Sequence, residues 1–113
     1  MKIPSDAIIP DAKLTRYLLV PQEQNDKSKF LSQAGFTLDN PEKLKSAIRQ
    51  LTDTEEARED TINEYGTFYR VEGELIGING RNLLVVTIWL LRKIDNKFQL
   101  ITLKPKKETQ RNA

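Results

Sequence analysis

The sequence contains no cysteine and no histidine. The first absence excludes disulfides, a thiolate nucleophile and cysteine-ligated zinc. The second removes the commonest general acid–base group and the commonest transition-metal ligand. Any catalysis must use Lys, Arg, Tyr, Thr, Ser or carboxylates, and no metal or other cofactor is called for. Long apolar runs are also missing. The longest, Leu83 to Leu91, is interrupted by Thr87 and is too short to span a bilayer. The first six residues, Met1 to Asp6, hold no apolar core of signal-peptide length. A cytoplasmic location without a membrane partner is expected. There is no phosphate loop, dinucleotide fingerprint, nucleophile elbow or helical metalloprotease motif.

At 113 residues the chain is long enough for one core. A domain of that size buries roughly two-thirds of its unfolded surface and needs no staple. The net charge of +2 is too small to signal nucleic-acid binding by itself. Its distribution is uneven. Basic residues gather at Lys13, Arg16, Lys27 and Lys29, and again at Lys104, Lys106, Lys107 and Arg111, while acidic ones gather between Asp53 and Glu64. An ordinary solvated surface with a basic tail accounts for this as well as a polyanion partner does.

The pattern predicts helices first and strands second. Asp11 is placed to cap a helix whose apolar face is Leu14, Tyr17 and Leu18, stopped by Pro21. Asn25 or Asp26 caps a second helix, Lys27 to Ala34, ended by Gly35. Asn40-Pro41 starts a third, with Leu44, Ala47, Ile48 and Leu51 on its stripe. Thr52 to Asp60 extends that helix or forms a loop, and Glu59 to Glu64 alternates enough for a first strand. Strands follow at Thr67 to Leu75, Leu83 to Arg92 and Lys97 to Lys104, separated by the hairpin signals Asn79-Gly80 and Asp95-Asn96. The fold class is α+β, with three N-terminal helical segments on one face of a three- to four-stranded antiparallel meander. The domain is residues 1–105, and 106–113 form a basic tail too polar to bury a core. In this register Leu84, Val86, Ile88 and Leu90 face the helices beside Ile101 and Leu103, and Ile88→Asp would bury a charge and unfold the domain. Val85, Thr87, Trp89, Phe98, Leu100, Thr102 and Lys104 then form the open face.

Several groups are candidates for chemistry. Tyr65-Gly-Thr-Phe-Tyr-Arg70 puts Tyr65, Thr67, Tyr69 and Arg70 close together. In RNA cleavage by 2′-OH attack, tyrosine can move a proton, cations stabilise the crowded phosphate and threonine donates a hydrogen bond. Tyrosine and threonine are equally good strand residues. Trp89 is either a base-stacking ring or a core anchor. Asp26-Lys27-Ser28-Lys29 opens the second helix, where backbone N–H groups and two lysines can receive a phosphate. The pairs Glu55-Glu56 and Glu59-Asp60 read as a solvated face rather than paired catalytic carboxylates.

Ala12-Lys-Leu-Thr-Arg-Tyr-Leu-Leu19, Lys27-Ser-Lys-Phe30 leading to Gly35-Phe36, Tyr65-Gly-Thr-Phe-Tyr69, Gly73, Val85-Val-Thr-Ile-Trp89 and Ile101-Thr-Leu103 occur here in a familiar order. With these pieces the chain resembles a family of small bacterial domains of unknown function, found stand-alone and at the ends of polymorphic-toxin or phage-head chains. The layout looks like the ribonuclease-toxin fold shared by barnase, EndoU and RelE relatives. That resemblance implies metal-independent RNA cleavage through a 2′,3′-cyclic phosphate, and a cognate antitoxin-like protein partner. Many of those toxins use histidine; with none here, only the Lys, Arg and Tyr style of the RelE-like toxins applies.

The expected function is a ribonuclease-type toxin of a two-gene toxin–antitoxin module. Its catalytic candidates are Lys13, Lys29, Tyr65, Thr67, Tyr69, Arg70 and Thr102, with Trp89, Lys27 and Lys104 as RNA-binding candidates. The alternative is a non-catalytic interaction module, such as an antitoxin, immunity or adaptor protein. Lys13 and Lys29 clustered against the Tyr65–Tyr69 hairpin would favour the enzyme; their dispersal, or Tyr69 in the helix-facing core, would favour the module. Truncation after Lys107 should leave the melting temperature almost unchanged, because the removed residues cannot build a core; a large drop in a thermal melt would show that the tail docks on the domain.

Overall fold

The computed structural model describes residues 1–24 and 26–106. Its elements are α1 (Asp11–Lys13), a π-helical turn (Leu14–Leu18), α2 (Ser28–Ser32), α3 (Pro41–Thr54), β1 (Ala57–Asn63), β2 (Gly66–Leu75), β3 (Leu83–Arg92) and β4 (Phe98–Pro105). The strands form an antiparallel four-stranded sheet in the order β1-β2-β3-β4. This is the α+β class the pattern predicts, with the helices N-terminal to the strands.

Local details differ from the expectation in instructive ways. Asp11 is the first helical residue and Pro10 takes the cap position. Asn40 does precede a helix with proline at its start, but its side chain turns back. Its Oδ1 accepts the Thr37 N–H at 2.9 Å and its Nδ2 donates to the Gly35 carbonyl at 3.1 Å, which locks the turn between α2 and α3. Gly35 takes the left-handed conformation expected of a helix end, with φ of 94°. Asn96 does the same for the β3–β4 hairpin, with φ of 57°. The ambiguous stretch after Thr52 finishes α3 and then becomes β1 from Ala57.

The sheet register is the reverse of the one expected for β3. Leu83, Val85, Thr87 and Trp89 are buried on the helix-facing side; of the opposite row Val86 is also buried, Leu84 is 41% exposed, and Ile88 and Leu90 are half-buried. Cross-strand pairing places Val71 opposite Thr87 and Tyr69 opposite Trp89, so the face with Thr87 and Trp89 is the core face. The reason is polar satisfaction. Thr87 donates its hydroxyl to the Val71 carbonyl at 3.0 Å and accepts the Trp89 indole N–H at 2.9 Å. Both polar groups enter the core already paired, so burying the large indole carries no unsatisfied N–H. In β4 a bulge between the Ile88 and Trp89 pairings breaks the alternation, and Leu100 and Leu103 are both fully buried. Leu103 is thus buried as expected, but Ile101 is not. The bulge leaves Ile101 unpaired and half-buried, next to Thr102, which pairs with Ile88.

The helical layer closes on this face. Leu14, Leu18, Leu31, Leu44, Ile48 and Leu51 join Val71, Leu75, Val85, Trp89, Leu100 and Leu103 in one cluster. Gly73 lets α3 approach β2: a Cβ there would lie 2.9 Å from Leu51 Cδ1. The β4 edge is covered by the N-terminal segment. Ile8 donates its N–H to the Phe98 carbonyl at 2.8 Å and accepts the Leu100 N–H at 2.9 Å. Arg49 of α3 holds that segment by donating to the Ser5 and Ala7 carbonyls at 3.0 and 2.9 Å. Lys106, just past the expected boundary at Pro105, donates its N–H to the Leu84 carbonyl at 3.0 Å. The rest of the expected tail lies outside the described residues.

Ile88→Asp should therefore leave a soluble, cooperatively melting domain, because the side chain is only half-buried on the outer face, opposite Arg70, which can pair with the new carboxylate. Thr87→Val keeps the volume but strands the buried indole N–H, and should cost about 1–3 kcal/mol in a denaturant titration. Equal stability of Thr87→Val and wild type would overturn this register.

Candidate functional site

The first helical segment does not continue as an ordinary helix. At Leu14 it widens into a π-helical turn, closed by the Leu19 N–H donating to the Leu14 carbonyl at 3.0 Å. Leu14 and Leu18 are driven into the core, and the widened turn presents Tyr17 at the core's margin, half-buried. Single π turns of this kind recur at functional sites. The Gln22 side-chain amide donates to the Tyr17 and Val20 carbonyls, each at 3.3 Å, and so supports the end of the turn.

Two lysines and a threonine surround Tyr17. Lys27 Nζ donates to the Tyr17 hydroxyl at 3.1 Å and lies 3.5 Å from Thr102 Oγ1. The ammonium groups of Lys13 and Lys27 lie 5.0 and 5.1 Å from the Tyr17 ring centroid, within cation–π range. Lys27 is positioned by its neighbours: Asp26 Oδ1 accepts both the N–H and the hydroxyl of Ser28, at 2.9 and 2.7 Å, which fixes the turn into α2. Thr102 follows the bulge in β4, an edge strand of the sheet, and from there comes within reach of Lys27.

The hydrogen bond from Lys27 is the main cause holding the Tyr17 phenol below its ordinary pKa of 10.0. Partial burial opposes it, while Thr102 and the charges of Lys27 and Lys13 add to it. A phenol so placed loses its proton more readily than a free tyrosine and sits beside an ammonium that can give one. Such a pairing of acceptor, donor and positive field is one arrangement that acid–base chemistry on an anionic substrate can use.

Of the residues singled out from sequence, Lys13, Lys27 and Thr102 come together here. The others do not join them. Lys29 is exposed on α2. Tyr65 is 65% exposed in the β1–β2 turn. Tyr69 is on the helix-facing side, half-buried, with its ring 5.5 Å from that of Phe98. Thr67 lies on the same face, opposite Leu91. Arg70 and Lys104 are on the outer face, where Arg70 is bound to Glu72 at 2.9 Å. Trp89, expected as a stacking ring, has no exposed surface and anchors the core instead. In the sequence Tyr17 stands only as part of an apolar stripe; the lysine four residues before it is the available signal. Among the described residues no cluster of carboxylates could hold a metal ion, and no helix is long and apolar enough to cross a membrane.

An α+β domain of this layout is the class the fold defines. A domain of unknown function, DUF6883, matches residues 3–107, and the chain belongs to that family. No curated protein matches the sequence. Among solved structures, the chain is similar to a chain from a contact-dependent growth inhibition toxin–immunity protein complex of Klebsiella pneumoniae 342. The identity is 19%, the TM-score is 0.67, and the match covers 92% of this chain and 97% of that one. At this identity the likeness is one of fold.

Titration tests the geometry without assuming an activity. In a Tyr65→Phe/Tyr69→Phe background, the remaining phenol should ionise below pH 10.0, followed by tyrosinate absorbance. Lys27→Met should move that midpoint upward. Because the folded pKa is depressed, ionised Tyr17 contributes stability above pH 10.0, and that contribution is lost as pH falls through the folded pKa. A midpoint unmoved by Lys27→Met would overturn the pairing.

Proposed function

We propose that this chain is a metal-independent ribonuclease-type toxin whose catalytic centre is Tyr17 with Lys27, Lys13 and Thr102. The observation that carries the reading is the 3.1 Å contact between the Lys27 ammonium and a phenol whose pKa is lowered. The likeness to a chain of a toxin–immunity protein complex supports it at the level of fold, and implies a cognate inhibitor protein as partner. Tyr17 acts as its phenolate, the form favoured by the Lys27 ammonium, and takes the proton of the RNA 2′-OH as that oxygen bonds to phosphorus. Lys13, Lys27 and the Thr102 hydroxyl stabilise the charge that gathers on the phosphoryl oxygens. The P–O5′ bond breaks and Lys27 gives the leaving oxygen its proton. The products are a 2′,3′-cyclic phosphate and a 5′-hydroxyl, and proton transfer from Tyr17 to Lys27 restores both groups.

The second reading is a non-catalytic interaction module in the immunity or adaptor style. It is favoured by the dispersal of Lys29, Tyr65, Arg70 and Tyr69, and by Ile62, Tyr65 and Ile94, which are 68%, 65% and 87% exposed around the hairpin turns.

Expression and assay separate the two. Induced wild type should arrest growth, and purified protein should cut RNA in the presence of a chelator but not a substrate with deoxyribose at the cut site. Tyr17→Phe and Lys27→Met should each lower the rate about a hundredfold or more while the melt is unchanged. Wild type that is harmless and inert on every RNA tested would leave the interaction module as the reading.

A further inference from the structure

The outer face of the sheet carries cations that the Tyr17 centre does not use. Arg58 of β1 pairs across the strands with Arg70 of β2, and Lys104 of β4 shares a row with Glu72 and Val86. Lys106 follows, tied by its backbone to Leu84. Glu72 stands among them. Its Oε2 accepts Nη2 and Nε of Arg70 at 2.9 and 3.2 Å, and its Oε1 lies 3.2 Å from Lys106 Nζ. The Lys106 interaction first, then that of Arg70, holds its carboxyl below the usual range, so it stays charged and keeps the two cations splayed.

Around this pair lie two adjoining hollows. One, of about 370 Å³, is lined by Arg70, Glu72, Val86, Lys104, Pro105 and Lys106. The other, of about 190 Å³, is lined by Glu56, Arg58, Arg70, Glu72 and Lys106. Glu56 is itself engaged by the N-terminal ammonium at 2.7 Å. Among the described residues neither Lys104 nor Arg58 has an ion-pair partner. Four cations, Arg58, Arg70, Lys104 and Lys106, thus line the hollows against two carboxylates, of which Glu72 pairs with Arg70 and Lys106 and Glu56 with the N-terminal ammonium.

The position matters as much as the charge. Lys104 is two residues along β4 from Thr102, and alternate residues of a strand are spaced by about 7 Å. Thr102 stands in the row that runs Arg58, Arg70, Ile88, Thr102 across the sheet. Lys104 thus brings the hollow to within two strand residues of Thr102, which Lys27 approaches at 3.5 Å. We propose that this cradle of Arg58, Arg70, Lys104 and Lys106 is a phosphodiester subsite that holds the backbone of single-stranded RNA next to the bond being cut. The inference rests on the ribonuclease reading for its choice of RNA. A compact set of cations whose neighbouring carboxylates are already paired suits backbone phosphates, which position a strand without reading its sequence.

The test uses a 2′-O-methyl oligoribonucleotide, which binds but cannot be cut, so its outcome is independent of cleavage. The variant is Arg58→Gln/Lys104→Gln, which leaves both Glu72 ion pairs in place; its melt should match wild type. Its dissociation constant should rise about tenfold or more, and the slope of log affinity against log salt should become shallower by about 0.7 for each phosphate no longer neutralised. Should the variant melt early, Lys104→Gln alone is measured in the same way. Unchanged affinity and slope would overturn the subsite. So would unchanged oligonucleotide binding together with weakened binding of the cognate inhibitor, which would assign the cradle to a protein. Wild type that binds the oligonucleotide through the cradle but cuts no RNA would instead remove the Tyr17 centre and leave the subsite standing.

Discussion

The hydroxyl of Thr87 decides which way the sheet faces. It is the group that satisfies the indole N–H of Trp89 inside the core, and it is itself satisfied by the Val71 carbonyl. Burying Trp89 removes a large apolar surface from water, but an unpaired N–H would offset about 1–3 kcal/mol of that gain. With Thr87 two residues away on the same face, the offset vanishes. Once this pair points inward, Val85 and Leu83 follow by alternation, Tyr69 and Val71 follow by pairing, and the row Leu84, Val86, Ile88 and Leu90 lies on the outer face, where Val86 is still buried and only Leu84 is exposed.

That constraint passes to the site through β4. Matching the inward row requires both Leu100 and Leu103, which plain alternation forbids, and the bulge between them resolves the conflict. Past the same bulge, Thr102 of this edge strand comes within reach of Lys27. On the helical side, the π turn plays the corresponding part. It keeps Leu14 and Leu18 buried and delivers Tyr17 beside that edge. Two local irregularities, one in a strand and one in a helix, meet at the candidate centre, in keeping with the tendency of bulges and π turns to occur where side chains are re-aimed for function.

Element types and order are legible in the sequence because their signals are local. Asn40-Pro41, Gly35, Asn79-Gly80 and Asp95-Asn96 act on the backbone where they stand. The sheet face is not legible, because β3 is apolar at both parities. Hydropathy ranks Ile88 above Thr87 and Trp89, yet the hydrogen-bonded pair takes the core face and Ile88 is left half-buried on the outer one. The site is half legible. Lys13, Lys27 and Thr102 stand out as polar groups, yet their convergence depends on a bulge and a π turn that no residue pattern announces. Tyr17 itself is concealed by its helical spacing with Leu14 and Leu18, since an aromatic in an apolar stripe looks like core.

The use of Trp89 as a core anchor bears on how an RNA would be recognised. It is the sole tryptophan of the chain, so a fully buried indole leaves base stacking to other rings. Tyr69 and Phe98 pack on each other, and Tyr17 lies under two ammonium groups. Tyr65, exposed at the β1–β2 turn, is the tyrosine most open to a base. On the ribonuclease reading, affinity then rests chiefly on cations that meet phosphates, a contribution that is sensitive to salt and indifferent to sequence. On that reading selectivity would have to come from how the single strand is held between the cradle and the Tyr17 centre, because the charged groups there offer little with which to read a base.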